Sequence, residues 1–162
     1  MISFPLRVTD LDRVEKIENS QAKGQLLFPR EPGIMNILLW VLQIVFGLYF
    51  IFVGFMHFTL PPGLPAMMSW MYDLSPTLHR ISGAAEILGG LGLILPAVTR
   101  IQTRLVVWAA AGLTLAMVLA AIFHILRVEW PNLVMTLINA VAMAFVAYGR
   151  ARLAPLKDRE SA

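Results

Sequence analysis

The stretch IMNILLWVLQIVFGLYFIFVGFMHF, from Ile34 to Phe58, contains no Asp, Glu, Lys or Arg. An α-helix rises about 1.5 Å per residue, so a helix of this length crosses the roughly 30 Å of hydrocarbon in a bilayer. Backbone groups inside lipid must find hydrogen-bond partners within the protein, which favours a helix over an irregular segment. The stretch therefore predicts a transmembrane helix.

Three more stretches of similar character follow, at residues 78–98, 105–126 and 131–149. The loops between the last three stretches are short, and short loops join antiparallel neighbours. We therefore predict an all-α integral membrane protein, an antiparallel bundle of four transmembrane helices within residues 34–150. In the longer first loop, residues 59–77, apolar and aromatic side chains predict a short helix lying in the membrane interface.

The composition favours a membrane protein over a soluble domain. Hydrophobic residues make up 58% of the 162 positions and charged residues 14%, whereas an average soluble domain has about 25% charged residues. The chain contains no cysteine, which excludes disulfides, thiolate nucleophiles and thiolate-held metal or iron–sulfur centres. No phosphate loop, dinucleotide fingerprint or Ser-His-Asp arrangement occurs. The sequence thus offers no self-sufficient catalytic motif and leaves open whether the protein is an enzyme.

Polar segments flank the predicted bundle. Residues 1–33 form a polar N-terminal extension, in which four side chains from Thr9 to Ile17 have the spacing of a short amphipathic helix. No apolar run follows a basic start in this segment, so it does not resemble a signal peptide. A further hypothesis is that the native chain begins at Met35. Residues 151–162 form a basic tail, and we expect both flanking segments in the cytoplasm.

The distribution of Lys and Arg predicts this orientation. In a four-span topology the two termini and the second loop share one side of the membrane, and eleven of the 13 Lys and Arg residues lie there. The other side carries Arg80 and Arg127. Because positively charged loops stay in the cytoplasm, we expect a multi-pass protein with both termini cytoplasmic. Topology explains the net charge of +3, so we expect lipids and not nucleic acid as partners.

Polar side chains collect in the outer half of the predicted bundle. Glu86 and Asn139 each lie eight residues from the outer end of their helix, which corresponds to a depth of about 12 Å. Together with residues at the outer rim they form the candidate ligand site or polar network: Glu86, His124, Asn139, His57, Arg127 and Arg80. An ionisable group inside a membrane indicates a function or a satisfied network that fixes the helix register, and the sequence leaves both open.

Small residues share a helix face with Glu86. Positions three and four residues away lie on one face of a helix, and around Glu86 they hold Ser82, Gly83, Gly89 and Gly90. Small residues let two membrane helices approach closely. Similar small or polar stripes run from Gln43 to His57, from Gly112 to His124 and from Asn132 to Met143. We predict that all stripes face the bundle interior, with close packing at Gly54, Gly83, Gly89, Gly90 and Gly112.

Two cofactor alternatives involve the histidines. Haem ligation by His57 and His124 would rest on a single pair of imidazoles without a supporting motif. A metal site formed by these two residues and Glu86 has suitable ligand types, but Glu86 lies about 9 Å deeper than the rim. We therefore expect no metal site and no required cofactor, and we interpret the nine methionines as packing residues.

Several motifs together resemble the DoxX and DoxX-like family of small four-helix membrane proteins. They are GFMH at residues 54–57, GAAEILGGLGLILP at residues 83–96, Ala120 with His124, Asn139, and the pair Gly149–Arg150. The resemblance spans residues 36–150, and its most specific part is the pattern G-x-x-E-x-x-G-G around Glu86.

The resemblance implies a bacterial or archaeal cytoplasmic membrane protein. Members of this family include small subunits of thiosulfate:quinone oxidoreductase and a membrane partner in an oxidative-stress complex, and similar animal proteins act as receptor-assembly chaperones. Two functions stay open: an accessory subunit of a membrane redox system that binds a quinone near Glu86, and a non-enzymatic scaffold or assembly factor. Either implies other membrane subunits or a homo-oligomer as partners. A transporter is a weaker third option, because four helices are few for that role.

Overall fold

The computed structural model describes residues 33–159, together with Lys16 and Glu18, which are helical and exposed. The amphipathic helix predicted between Thr9 and Ile17 lies outside the described residues, apart from Lys16. The chain divides after Gly33 into two separate units. All the long helices that the structure describes belong to the second unit.

Four long α-helices form this unit: α1, Ile34–Thr59; α2, Pro76–Thr99; α3, Arg104–Leu126; and α4, Trp130–Tyr148. Their ends differ from the predicted spans by one or two residues at most. All four are long and apolar enough to cross a membrane, α4 together with the turn that extends it to Leu153. Residues 33–159 contain no strand, and the predicted all-α membrane bundle is confirmed.

Local sequence signals fix the start and end of α2. The hydroxyl oxygen of Ser75 accepts a hydrogen bond from the Leu78 amide at 3.3 Å, which satisfies one of the free amides at a helix start. Pro76 follows in the first turn, where its missing N–H has no consequence. Arg100 ends the helix with a φ of 57°, in the left-handed region. The cap thereby places Glu86 about three turns inside the helix.

Helices that follow one another in the sequence are neighbours in space. α1 packs on α2, α2 on α3 and α3 on α4, whereas α1 and α4 meet at few positions. Apolar side chains fill the space between the helices, among them Phe50, Leu93, Leu113 and Met143. Further large apolar side chains cover the outside of all four helices, where membrane lipid surrounds them. The bundle is therefore least closed between its first and last helices.

Glycines determine how closely α1 approaches α2. A Cβ at Gly83 would lie 2.8 Å from the carbonyl oxygen of Gly54, and a Cβ at Gly90 would lie 2.5 Å from that of Gly47. Because the opposing atoms belong to the backbone, they cannot move aside as a flexible side chain would. Close approach through small residues is a common way for membrane helices to pack. It holds the face of α2 that carries Glu86 against α1.

The packed face of α3 differs from the prediction. Gly112 is exposed, and an added Cβ would find no atom within 4 Å, so its predicted role in helix packing is wrong. An added Cβ at Gly89 of α2 would lie 2.6 Å from the side chain of Leu113. The Leu113 side chain of α3 fills the space beside Gly89, and Gly112 faces outward. The buried residues of α3 are Val106, Ala110, Leu113, Met117, Ala121 and His124.

The short helix predicted in the first loop is a 3-10 helix, Ala66–Asp73. It folds onto the bundle, and its Trp70 ring packs against the rings of His57 and His124 at centroid distances of 6.0 and 5.1 Å. We call this end of the bundle the His57 end. The opposite end, where α4 finishes, is the Arg150 end.

Candidate functional site

A cavity of about 310 Å³ lies between α1 and α4 at the His57 end. In this α1–α4 cavity, Met67, Met68 and Trp70 of the 3-10 helix form part of the wall. Phe52 and Met135 also line it and are exposed on the sides of α1 and α4, so the cavity opens towards lipid. Most of the lining is apolar. The polar residues that line it are Glu86, Asn132, Thr136 and Asn139.

Glu86 brings a carboxyl group to the wall of this cavity. The residue is 7% exposed, and its Oε2 atom lies 3.7 Å from His57 Nε2 without any hydrogen-bond partner. A charged side chain at the centre of a membrane costs about 2.5–3.5 kcal/mol on insertion scales. A buried polar atom without a partner adds to that cost. Glu86 therefore has a free hydrogen-bonding position next to a cavity large enough for a ligand.

His57 connects Glu86 to a second histidine. His57 Nδ1 lies 3.0 Å from His79 Nδ1, and one of the two must donate while the other accepts. The Nε2 atom of His79 is buried and has no partner. Glu86, His57 and His79 thus form a series of three titratable groups. His79 was not in the predicted ligand site, although it lies four residues from Gly83 and hence on the same face of α2 as Glu86.

Asn139 lies on the opposite wall and bonds to a residue of α1. Its Nδ2 atom donates to the Tyr49 hydroxyl oxygen at 3.3 Å, which links α4 to α1 across the cavity. Thr136, one turn away, donates through Oγ1 to the carbonyl oxygen of Asn132 at 2.7 Å. Tyr49 was missing from the predicted set. Its position eight residues before His57 corresponds to a depth of about 12 Å, the depth of Asn139.

A second polar cluster lies beside the cavity at the surface of the His57 end. His124 Nδ1 donates to Glu129 Oε2 and Arg127 Nε donates to Glu129 Oε1, both at 2.7 Å. Arg127 also pairs with Asp73, at the end of the 3-10 helix. This His124–Glu129 cluster connects the first loop to the third. His124 and Arg127 were predicted as partners of Glu86, and the loop carboxylates of Glu129 and Asp73 bind them instead.

Glu129 is charged in this cluster at neutral pH. Partial burial raises its pKa, but hydrogen bonds from Arg127, His124 and Asn132 outweigh the burial and bring the pKa below its usual 4.5. The hydrogen bond to Glu129 in turn raises the pKa of Arg127. Hydrogen bonds between charged groups are stronger than neutral ones. The cluster is therefore an ion-pair network that holds the two loops together.

The remaining predicted rim residue stands apart from both groups. Arg80 is exposed, and it forms no ion pair or side-chain hydrogen bond with any residue the structure describes. His57 and His124 do not form a pair, because each bonds to a different side chain and Trp70 packs against both. Within the described residues, no three His, Cys, Asp or Glu side chains are grouped as metal ligands.

The Arg150 end contains a buried arginine. The sequence indicated a role for Arg150 in the membrane topology and in the Gly149–Arg150 pair of the family resemblance, but its burial was not predicted. Arg150 Nε donates to Gln43 Oε1, and Nη1 donates to Asn36 Oδ1 at 2.6 Å. Gln43 Nε2 donates onward to the carbonyl oxygen of Leu93 at 2.9 Å. The spacing of Met143 and Arg150, seven residues apart, places both on the inner face of α4. That spacing was the signal for burial in the sequence.

No curated protein and no solved structure matches this chain. A family model described as the DoxX-like family matches residues 41–148, well over half of the chain. The matched part runs from α1 to the end of α4 and includes Glu86, His57 and Asn139. The four apolar helices agree with this match. The chain therefore belongs to the DoxX-like family of membrane proteins.

Proposed function

We propose that this protein is an accessory subunit of a membrane redox system and binds the head group of a quinone in the α1–α4 cavity. The observation that carries the proposal is Glu86, a buried residue that lines a cavity open to lipid and has a carboxyl oxygen without a hydrogen-bond partner. A quinone is dissolved in the bilayer, so a lateral opening between α1 and α4 gives it direct access.

The lining fits a quinone head group. The quinone ring is flat and apolar, and its carbonyl oxygens accept hydrogen bonds. A bound quinone would supply a centre that accepts electrons and protons. Phe50, Met68 and Met117 offer apolar contacts, and methionine adapts well to aromatic surfaces. Asn139 has one N–H left after its bond to Tyr49. The cavity volume of about 310 Å³ lies in the usual range for small-molecule sites.

The series Glu86, His57 and His79 gives protons a route between the cavity and the His57 end. In its acid form Glu86 donates its proton to a bound quinone and becomes a carboxylate. A proton taken up at His79 Nε2 makes His79 an imidazolium, which passes its Nδ1 proton to His57 Nδ1, 3.0 Å away. His57 is then the imidazolium until it gives its Nε2 proton to Glu86 Oε2 across 3.7 Å, and both histidines end neutral. The arrangement matches what a quinone site needs, because quinone reduction takes up protons.

Retention of quinone during gentle purification tests the proposal. Wild-type protein should retain quinone, and Glu86→Gln should retain roughly tenfold less, the loss expected for one hydrogen bond of about 1.4 kcal/mol. Glu129→Gln is the matched control: it removes a carboxylate of the neighbouring cluster that does not line the cavity, and its retention should equal that of the wild type. If the wild type carries lipid but no quinone, the proposal fails.

A second function, membrane scaffold or assembly factor, is favoured by a groove on the outer face of α4. The groove has a volume of about 560 Å³ and is lined entirely by apolar residues: Val134, Leu137, Ile138, Val141, Ala142 and Phe145. A helix of a partner subunit would fit this surface.

Because the chain has no cysteine, Ile138→Cys provides a single cross-linking position. Cross-linking to a defined membrane partner, unaffected by Glu86→Gln, would support the scaffold; cross-links to lipid alone would exclude this face.

We place the protein in a cytoplasmic membrane with both termini in the cytoplasm. The proposal rests on the Lys and Arg distribution. The Arg150 end, with Arg100, Arg104 and Arg152 near it, would then face the cytoplasm, and the α1–α4 cavity would lie in the outer half of the bilayer.

A further inference from the structure

Arg150 carries a positive charge that no described acidic side chain balances. The residue is 3% exposed, and its hydrogen-bond partners are the neutral oxygens of Gln43, Asn36 and Ala154. The guanidinium also lies 5.5 Å from the centre of the Trp40 ring. Its Nη2 atom is buried and has no hydrogen-bond partner. A buried charge without a counter-ion is unfavourable, so Arg150 retains the capacity to bind an anion.

A cavity of about 230 Å³ lies beside Arg150. Arg104 lines the same cavity and is exposed. As the first residue of α3, Arg104 also marks a helix N-terminus, where free amides and the helix dipole favour negative charge. Two guanidinium groups and a helix start thus surround one space. The other lining residues are Thr103, Val107, Ala151, Pro155 and Leu156.

A carboxylate of the C-terminal tail shows that this region favours anions. The amide of Thr103 donates to Asp158 Oδ1 at 2.7 Å. Hydrogen bonds from Thr103, with the charge of Arg104, hold the pKa of Asp158 below its usual range. Asp158 therefore binds the free amide at the start of α3 and partly neutralises the charge of Arg104. It forms no ion pair with Arg150, whose charge remains available to a second anion.

We propose that this Arg150 cavity binds a phosphate group, held by Arg150 and Arg104, which belongs to an anionic lipid headgroup or to free inorganic phosphate. Guanidinium groups match phosphate oxygens with paired N–H donors. The membrane span of α4 ends at Leu153, so the site lies at the boundary where headgroups are found. It lies at the other end of the bundle from the α1–α4 cavity, and its failure would leave the quinone proposal unaffected.

Ligand titrations of the full chain in neutral detergent test the site. The probes are phosphatidylglycerol, phosphatidylcholine and inorganic phosphate, with bound molecules counted by native mass spectrometry and the thermal midpoint recorded. Arg104→Gln removes an exposed charge that lines the cavity, and Arg152→Gln removes an exposed charge nearby that does not. Arg104→Gln should weaken binding of the preferred probe by about tenfold, as loss of a charged contact predicts, and Arg152→Gln by less than about twofold.

The probes also separate the two sources of phosphate. Preference for phosphatidylglycerol without a response to inorganic phosphate identifies a lipid headgroup, and displacement of lipid by inorganic phosphate identifies a site for the free ion. Arg150→Lys keeps the charge but loses the paired donors, so it should bind either probe more weakly; if this variant does not fold, the two exposed variants decide. Equal losses in Arg104→Gln and Arg152→Gln, or a wild type that binds all probes alike, would overturn the proposal.

Discussion

The carboxyl oxygen of Glu86 and the imidazole nitrogens of His57 and His79 form a row of titratable atoms inside an apolar bundle. An imidazole nitrogen without a hydrogen-bond partner in such surroundings lowers the stability of the fold, because no water is present to replace the missing hydrogen bond. His57 has His79 as its hydrogen-bonding neighbour. The stability of this row therefore depends on His79 even if the protein binds no ligand.

Replacing His79 by leucine tests this dependence. His79→Leu leaves His57 Nδ1 without its partner and should lower the free energy of unfolding by about 1–3 kcal/mol. The adjacent exposed residue supplies the control: Arg80→Gln should change it by less than about 0.5 kcal/mol. Unfolding in mixed micelles, followed by circular dichroism, measures both. Equal stability of the two variants would mean that the His57–His79 bond contributes nothing.

The ionisation of Glu129 makes the stability of the folded protein depend on pH. Its folded-state pKa is depressed, so its contribution to stability is present above the usual pKa of 4.5 and is lost as the pH falls below it. The group is near the surface, so we expect a modest loss. Wild-type protein should lose more stability than Glu129→Gln when the unfolding titration is repeated between about pH 6 and about pH 4. Parallel curves for the two proteins would contradict a charged Glu129.

At the scale of elements, two pairs of helices pack by different means. α1 and α2 bring backbone against backbone at Gly54 and Gly83, whereas α2 and α3 set Gly89 against the side chain of Leu113. The sequence pattern of glycines predicted the first contact, because each helix carries two glycines seven residues apart, which places them on one helix face. It failed at Gly112 of α3, because periodicity shows which residues share a helix face but cannot show which face packs against the bundle.

Two alanine substitutions separate packed glycines from exposed ones. Gly83→Ala would place a Cβ 2.8 Å from the Gly54 carbonyl oxygen and should destabilise the bundle by about 1–3 kcal/mol. Gly112→Ala meets no atom within 4 Å and should stabilise it by about 0.5–1 kcal/mol, because alanine is the better helix residue. The sign of the two changes in unfolding free energy is the result to compare. A gain for Gly83→Ala would contradict the close helix crossing.

The lengths of the apolar stretches were enough to predict the four membrane spans of the molecule, because a chain inside lipid has few alternatives to a helix. The contacts between loops could not be predicted from the sequence pattern. Asp73 and Glu129 lie in loops without periodicity, so nothing in the sequence indicated that they would bind Arg127 and His124. The burial of Arg150 was not predicted, because an arginine at the end of a membrane span fits the rule of positive loops as well as it fits burial.

Labelling of single cysteines tests the proposed orientation. The natural chain has no cysteine, so Arg80→Cys and Lys157→Cys each give one reactive thiol, at exposed positions on opposite ends of the bundle. A maleimide that cannot cross membranes should label Arg80→Cys in intact cells and label Lys157→Cys only after permeabilisation. The reverse pattern would contradict the orientation and place the α1–α4 cavity in the cytoplasmic half.

The α1–α4 cavity is formed by the Glu86 carboxyl group, the open boundary between α1 and α4, and the 3-10 helix that covers it. Trp70 lines the cavity, and quinones quench tryptophan fluorescence on contact. The most direct measurement is therefore quenching by a short-chain quinone in protein whose other three tryptophans are phenylalanine. We expect saturable quenching that Glu86→Gln weakens by roughly tenfold. Quenching that does not saturate, or that Glu86→Gln leaves unchanged, would contradict quinone binding in the cavity.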